Sequence, residues 1–168
     1  MDDPVALTFA VLGDVAKAQN LADALNKRRP LDTNIQRVEL PVIRAQIEIA
    51  RGRPLRAIEI LRAAAPFGLG TCRASDWCLP YWTGEAYLHA AQGAAAAEQF
   101  QYLLNHRSAL IYSYRLPLAQ LGLARSYVLT GDTAKARTAY QDFFALWKDA
   151  DPDIPILKQA QAEYAKLQ

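Results

Sequence analysis

Side chains able to do acid–base, nucleophilic or metal chemistry are sparse in these 168 residues, which hold two histidines and two cysteines. His89 stands four residues after Glu85, so a helix through this stretch sets the two on one face as a neighbouring acid and base. Catalysis would also need a nucleophile and an orienting group, and spacing supplies neither. No catalytic residues are expected. His106-Arg107 follows a helical stretch, where cations suit the negative end of the helix dipole. Cys72 and Cys78 have no neighbouring His or Cys to complete a four-ligand zinc site, so neither metal nor cofactor is expected. A local disulfide between them is sterically allowed and would persist only in an oxidising compartment. The residues leave both redox states open.

Charge and hydropathy exclude more than they propose. The net charge is +2 and the pI about 8.6, too even to draw a polyanion by field alone, so nucleic acid is not an expected partner. The run Lys27-Arg28-Arg29 before Pro30 reads as a solvated helix end. No apolar run approaches the roughly 20 residues that cross a bilayer, and Met1-Asp2-Asp3-Pro4 has no signal-like region. Direct membrane contact is not expected.

The elements that would position any site are helices. The chain has 31 Ala and 22 Leu against 15 Val plus Ile, a balance that favours helix over sheet. Ala18, Ala57, Ala96 and Ala136 recur at separations of 39, 39 and 40 residues. Four positions after each come Ala22, Leu61, Phe100 and Tyr140, and three further on Leu25, Ala64, Leu103 and Phe143. Small, large, large at i, i+4, i+7 is one helical face, repeated four times.

Turn signals precede each face: Gly13-Asp14, Gly52-Arg53-Pro54, Gln92-Gly93 and Gly131-Asp132. Glycine there supplies a left-handed cap, and Asp14 or Asp132 can cap the helix that follows. Each unit is a helical hairpin. The entering helices are expected near 4–12, 34–51, 80–91 and 117–130, and the returning helices near 15–28, 54–65, 94–105 and 133–147. The repeats thus span about 4–30, 34–66, 80–106 and 117–147 of a single domain, 1–168. A last helix over 154–167, with Leu157, Ala160, Tyr164 and Leu167 on one stripe, has the form of a cap.

Leu123-Ala124-Arg125-Ser126-Tyr127 with Gly131-Asp132, Ala136 and Tyr140 resembles a tetratricopeptide repeat over its full length. Thr83-Gly84-Glu85-Ala86-Tyr87 with Ala96 and Phe100 does so too. The last third, from His106-Arg107 through Leu121-Gly122-Leu123-Ala124-Arg125 and Gly131-Asp132-Thr133-Ala134-Lys135-Ala136-Arg137 to Trp147-Lys148-Asp149-Ala150-Asp151-Pro152-Asp153-Ile154-Pro155, is similar to the C-terminal repeat region of membrane-anchored bacterial serine/threonine protein kinases of the acidobacterial type. The chain carries no Gly-rich loop, His-Arg-Asp or Asp-Phe-Gly signature of the kinase itself. The resemblance implies an all-α, right-handed superhelix of about four TPR-like hairpins plus a capping helix, acting as a non-catalytic docking or sensor tail. It also implies a location beyond the membrane from the kinase, on the extracytoplasmic side.

Within such a repeat the entering helices line the surface that holds partner peptides. Arg44, Glu48, Tyr81, Glu85, His89, Leu121, Arg125 and Val128 are the expected groove residues, with Arg44 and Arg125 able to fork onto a carboxylate. A second reading is a small-ligand sensor built from the aromatic stretches 77–82 and 111–114, through Trp77, Tyr112 and Tyr114. Trp82 is weighed as packing. The first hairpin has a short entering helix, so the chain is expected to begin inside a larger one, whose upstream helix would cover Val5, Leu7, Phe9 and Val11. Left uncovered, that end is a surface for a homodimer.

Overall fold

The computed structural model describes residues 3–71, 77–106, 108 and 114–167. These are helical, with no strand among the described residues. Nine α-helices follow one another: α1 (Asp3–Val11), α2 (Val15–Arg28), α3 (Leu40–Ala50), α4 (Pro54–Ala64), α5 (Leu79–His89), α6 (Gly93–Asn105), α7 (Arg115–Thr130), α8 (Thr133–Leu146) and α9 (Pro155–Ala165). The first eight pair as hairpins. Each entering helix also packs on the next entering helix, and each returning helix on the entering helix that follows it.

One backbone joint closes all four hairpins. Asp14, Arg53, Gln92 and Asp132 each donate their N–H five residues back, to the carbonyls of Phe9, Glu48, Tyr87 and Tyr127, at 2.8–3.0 Å. This bond needs the preceding residue in the left-handed region, and Gly13, Gly52 and Gly131 supply it with φ of +82°, +73° and +77°. In the third hairpin the position falls to Ala91, at φ +54°. The expected cap at Gly93 is therefore corrected. Gly93 instead opens α6, where a Cβ would lie 2.7 Å from Leu129 Cβ and 2.8 Å from the Ser126 carbonyl. Its lack of a side chain is used for close approach to α7.

Helix starts follow the local chemistry. Asp14 and Asp132 accept from the Lys17 and Lys135 N–H groups at 3.1 Å, as the turn sequences predict, and each pairs with the same lysine's ammonium at 2.8 Å. Pro54, Pro80 and Pro155 sit in first turns, where a missing N–H costs nothing. Pro41 is different. It follows a π-helical turn, Ile35–Glu39, in which Leu40 donates to the Ile35 carbonyl five residues back. Pro41 has no N–H for the Arg37 carbonyl, and its ring would crowd it, so the backbone widens there before α3 begins.

The predicted small notches are all sealed: Ala18, Ala57, Ala96 and Ala136 are fully buried, and so are Leu61, Phe100, Tyr140, Leu103 and Phe143 on the same faces. The Phe100 ring is wedged between α5 and α7. A Cβ on Gly84 would approach it to 2.7 Å, and one on Gly122 to 2.5 Å. One core runs through the first three hairpins and onto α7, while a second joins α7 and α8 to α9 through Leu121, Ala124, Tyr140, Phe143, Leu157 and Ala160. Tyr127 touches both.

Of the N-terminal residues expected to need cover, Leu7 is already buried and Phe9 partly so, with the Lys17 ammonium 5.0 Å over its ring. Val5, Val11 and Leu12 stay exposed. Two substitutions test the joint and the wedge by chemical denaturation. Ala91→Gly removes left-handed strain and raises stability by about 1 kcal/mol, whereas Gly122→Ala overpacks against Phe100 and lowers it by about 1–3 kcal/mol.

A candidate binding groove along the entering helices

The four entering helices share a cleft of about 610 Å³. Its walls are the apolar Leu7 and Val11 of α1, Ile49 of α3, Trp82 of α5 and Leu118 of α7. Gln46, Tyr81, Glu85, His89 and Arg115 bring the polar atoms, with Tyr114 at the rim. On α5 the spacing i, i+4, i+8 stacks Tyr81, Glu85 and His89 along one face, as expected.

The repeat spacing generates the floor. Leu7, Gln46 and Glu85 are 39 residues apart, and Arg125 follows Glu85 by 40. These four therefore hold the same register on α1, α3, α5 and α7. The first three line the cleft, and the Arg125 charge acts on Glu85.

Arg115 is 3% exposed, and its guanidinium lies over three rings, 4.5 Å from Tyr81, 4.6 Å from Trp82 and 5.0 Å from Tyr114. Its Nη2 also donates to the Tyr114 hydroxyl at 3.1 Å. The ring faces replace part of the water the cation gave up. Tyr81 and Trp82 meet edge to face at 5.2 Å.

Burial raises the Glu85 carboxyl above the ordinary carboxylate range, against the pull of Arg125, Arg115 and a hydrogen bond from Tyr81. Burial raises the Tyr81 phenol as well, and the Glu85 charge adds to it. Desolvation lowers His89 from its usual value at the rim. Of its two neighbours one turn away on this face, it is Tyr81 that acts on the Glu85 carboxyl.

The remaining expected groove residues lie elsewhere. Arg44 and Glu48 face a different cleft, with Gln19 of α2 and Arg53, Arg56 and Ile60 around α4. There Glu48 pairs with Arg51 at 2.9 Å and with Arg53 at 2.8 Å. They sit two positions either side of Gln46, on another face of α3. Leu121 is a core residue, and Val128 is half-exposed outside the cleft. Arg125 forks onto Glu163 of α9 through Nε and Nη2, at 2.9 and 3.0 Å, and Glu163 also accepts from the Tyr140 hydroxyl at 2.9 Å.

The aromatic stretches divide. Trp77 is buried in the main core, Tyr114 is exposed at the groove rim, and Tyr112 lies outside the described residues. Cys78 is fully buried and disulfide-bonded, while Cys72 lies outside the described residues.

Sequence reasoning passed over Gln46, Arg115 and Leu118. Gln46 had a signal, being polar amid Val42, Ile43, Ala45 and Ile47, and 39 residues before Glu85. Arg115 had only its neighbour Tyr114 to mark it. Among the described residues no three His, Cys, Asp or Glu gather as metal ligands, and no helix is long and apolar enough to cross a membrane.

No protein-family model, curated protein or solved structure matches this chain.

A carboxyl raised by burial holds its proton more tightly folded than unfolded, so its ionisation costs stability as pH climbs through the raised value. Glu85→Gln, which keeps an acceptor for Tyr81, should melt above the parent at neutral pH. The gap should close at mildly acid pH, as thermal melts across that range will check.

Proposed function

We propose that this chain is a non-catalytic docking module, a TPR-like right-handed superhelix that holds a segment of a partner protein along its entering helices. The observation that carries the reading is the register of Leu7, Gln46 and Glu85 along the cleft. A trough with one residue from each of the first three hairpins at equivalent depth suits a linear ligand, which meets successive hairpins at successive positions. A helix-only architecture with the same joint four times supports the repeat assignment, and α9, closing the last hairpin through Leu157, Ala160 and Glu163, has the place of a cap.

Against a small-ligand sensor, the aromatic residues that are described are already engaged. Trp77 packs in the core, and Tyr81, Trp82 and Tyr114 hold Arg115. The likeness of the last third to a kinase tail supports reading the chain as part of a membrane-anchored bacterial signalling protein. The disulfide at Cys78 supports an oxidising, extracytoplasmic setting for the module.

The test is selection of linear peptides from a random phage-displayed library on the immobilised protein, followed by affinity measurement. Val11→Arg places a charge on an exposed wall of the groove, and Leu146→Arg does so on an exposed apolar residue away from it. Selected peptides should lose about tenfold or more in affinity for Val11→Arg and keep their affinity for Leu146→Arg. Equal binding by both variants would place the docking surface elsewhere.

A further inference from the structure

The groove contains a polar atom for which the described residues offer no partner. Gln46 is 6% exposed and lines the cleft, and its buried Nε2 has no hydrogen-bond acceptor among the described residues. The residues beside it on α3 are Val42, Ile43, Ala45 and Ile47, all buried. An unmet amide held in apolar surroundings is costly, and an apolar residue at this position would pack without that cost. A side-chain amide carries both a donor and an acceptor, and a rotation about its last bond exchanges them, so its natural complement is another amide.

The charges beside it narrow the chemistry. Arg115 is stacked on three rings and bonded to the Tyr114 hydroxyl, and Arg125 is forked onto Glu163. Both cations near the floor are engaged within the protein. An acidic segment would have to displace these contacts and would meet Glu85. A strongly basic segment would be repelled by Arg115. The remaining walls, Leu7, Val11, Ile49 and Leu118, are apolar.

Resting on the docking reading above, we infer that the occupant is an uncharged, extended peptide segment of a partner protein. One of its main-chain peptide groups pairs with the Gln46 side-chain amide, and an apolar side chain seats between Leu7, Ile49 and Trp82. Specificity then comes from an absence of charge and from one main-chain contact at the second hairpin. Neither Arg44 nor Arg125 takes part.

The peptide selection decides this when the selected sequences are resynthesised with acetylated and amidated ends and titrated by fluorescence anisotropy. The expected sequences are rich in Leu, Ile, Val, Phe or Met and poor in Asp and Glu. Gln46→Met should weaken them about tenfold or more while melting no lower than the parent, because it removes an orphaned donor rather than a packed contact. Gln46→Glu, which keeps the shape without a donor, is the second variant and should weaken binding as well. Acidic consensus sequences, binding that needs a free peptide carboxylate, or unchanged affinity for both Gln46 variants would overturn the inference and leave the docking reading standing. If no peptide is enriched on the parent protein, the docking reading itself falls.

Discussion

An α-helix ends with four carbonyls unpaired, and at four places in this chain one bond of the same kind takes up one of them: an N–H donates back five residues across a left-handed link. That joint fixes the direction in which each returning helix leaves. With the direction fixed, Ala18, Ala57, Ala96 and Ala136, five residues past each link, all fall at the same depth in the hairpin, where only a small side chain fits. The larger residues one and two turns on then meet the neighbouring helices in a constant register. The groove inherits that constancy, since Leu7, Gln46 and Glu85 each lie six residues before a link. A molecule that let one joint relax would misalign its floor before it lost its helices.

The legible part of this architecture was the part encoded by repetition. Recurrence of alanine at near-equal spacing, with bulky residues one and two turns on, gave the hairpins, the buried notches and the capping stripe of α9. What escaped were local exceptions to a pattern read correctly. Ala91 holds a backbone conformation that glycine holds in the other hairpins, and Gly93, two residues on, drew attention because composition cannot say whether a glycine serves the backbone or a neighbour. The π-helical turn before Pro41 is another such exception, produced by one missing N–H within an otherwise regular helix.

The site was less legible than the fold, for a reason of phase. Successive residues turn by about 100° around a helix, so a choice two positions off, as with Arg44 and Glu48 around Gln46, lands on another surface. Charge misled as well. Arginines in a repeat look like ligand contacts, yet Arg125 is tied to α9, and Arg115, scarcely noticeable in the sequence, is held by three rings. A buried amide between apolar neighbours was the more informative residue, because its Nε2 finds no acceptor among the described residues.

The division of the interior into two clusters has a mechanical side. The larger cluster spans the first three hairpins and continues onto α7, while the smaller one ties α8 and α9 to the far side of the same helix, with Tyr127 shared between them. An array built this way need not come apart all at once. The end held by Arg125, Glu163 and Tyr140 can fray while the Phe100 wedge still grips α5 and α7, so loss of the last two helices would leave the trough intact. None of the trough's walls belongs to the two helices that would go first, so wear at the tail stops short of them.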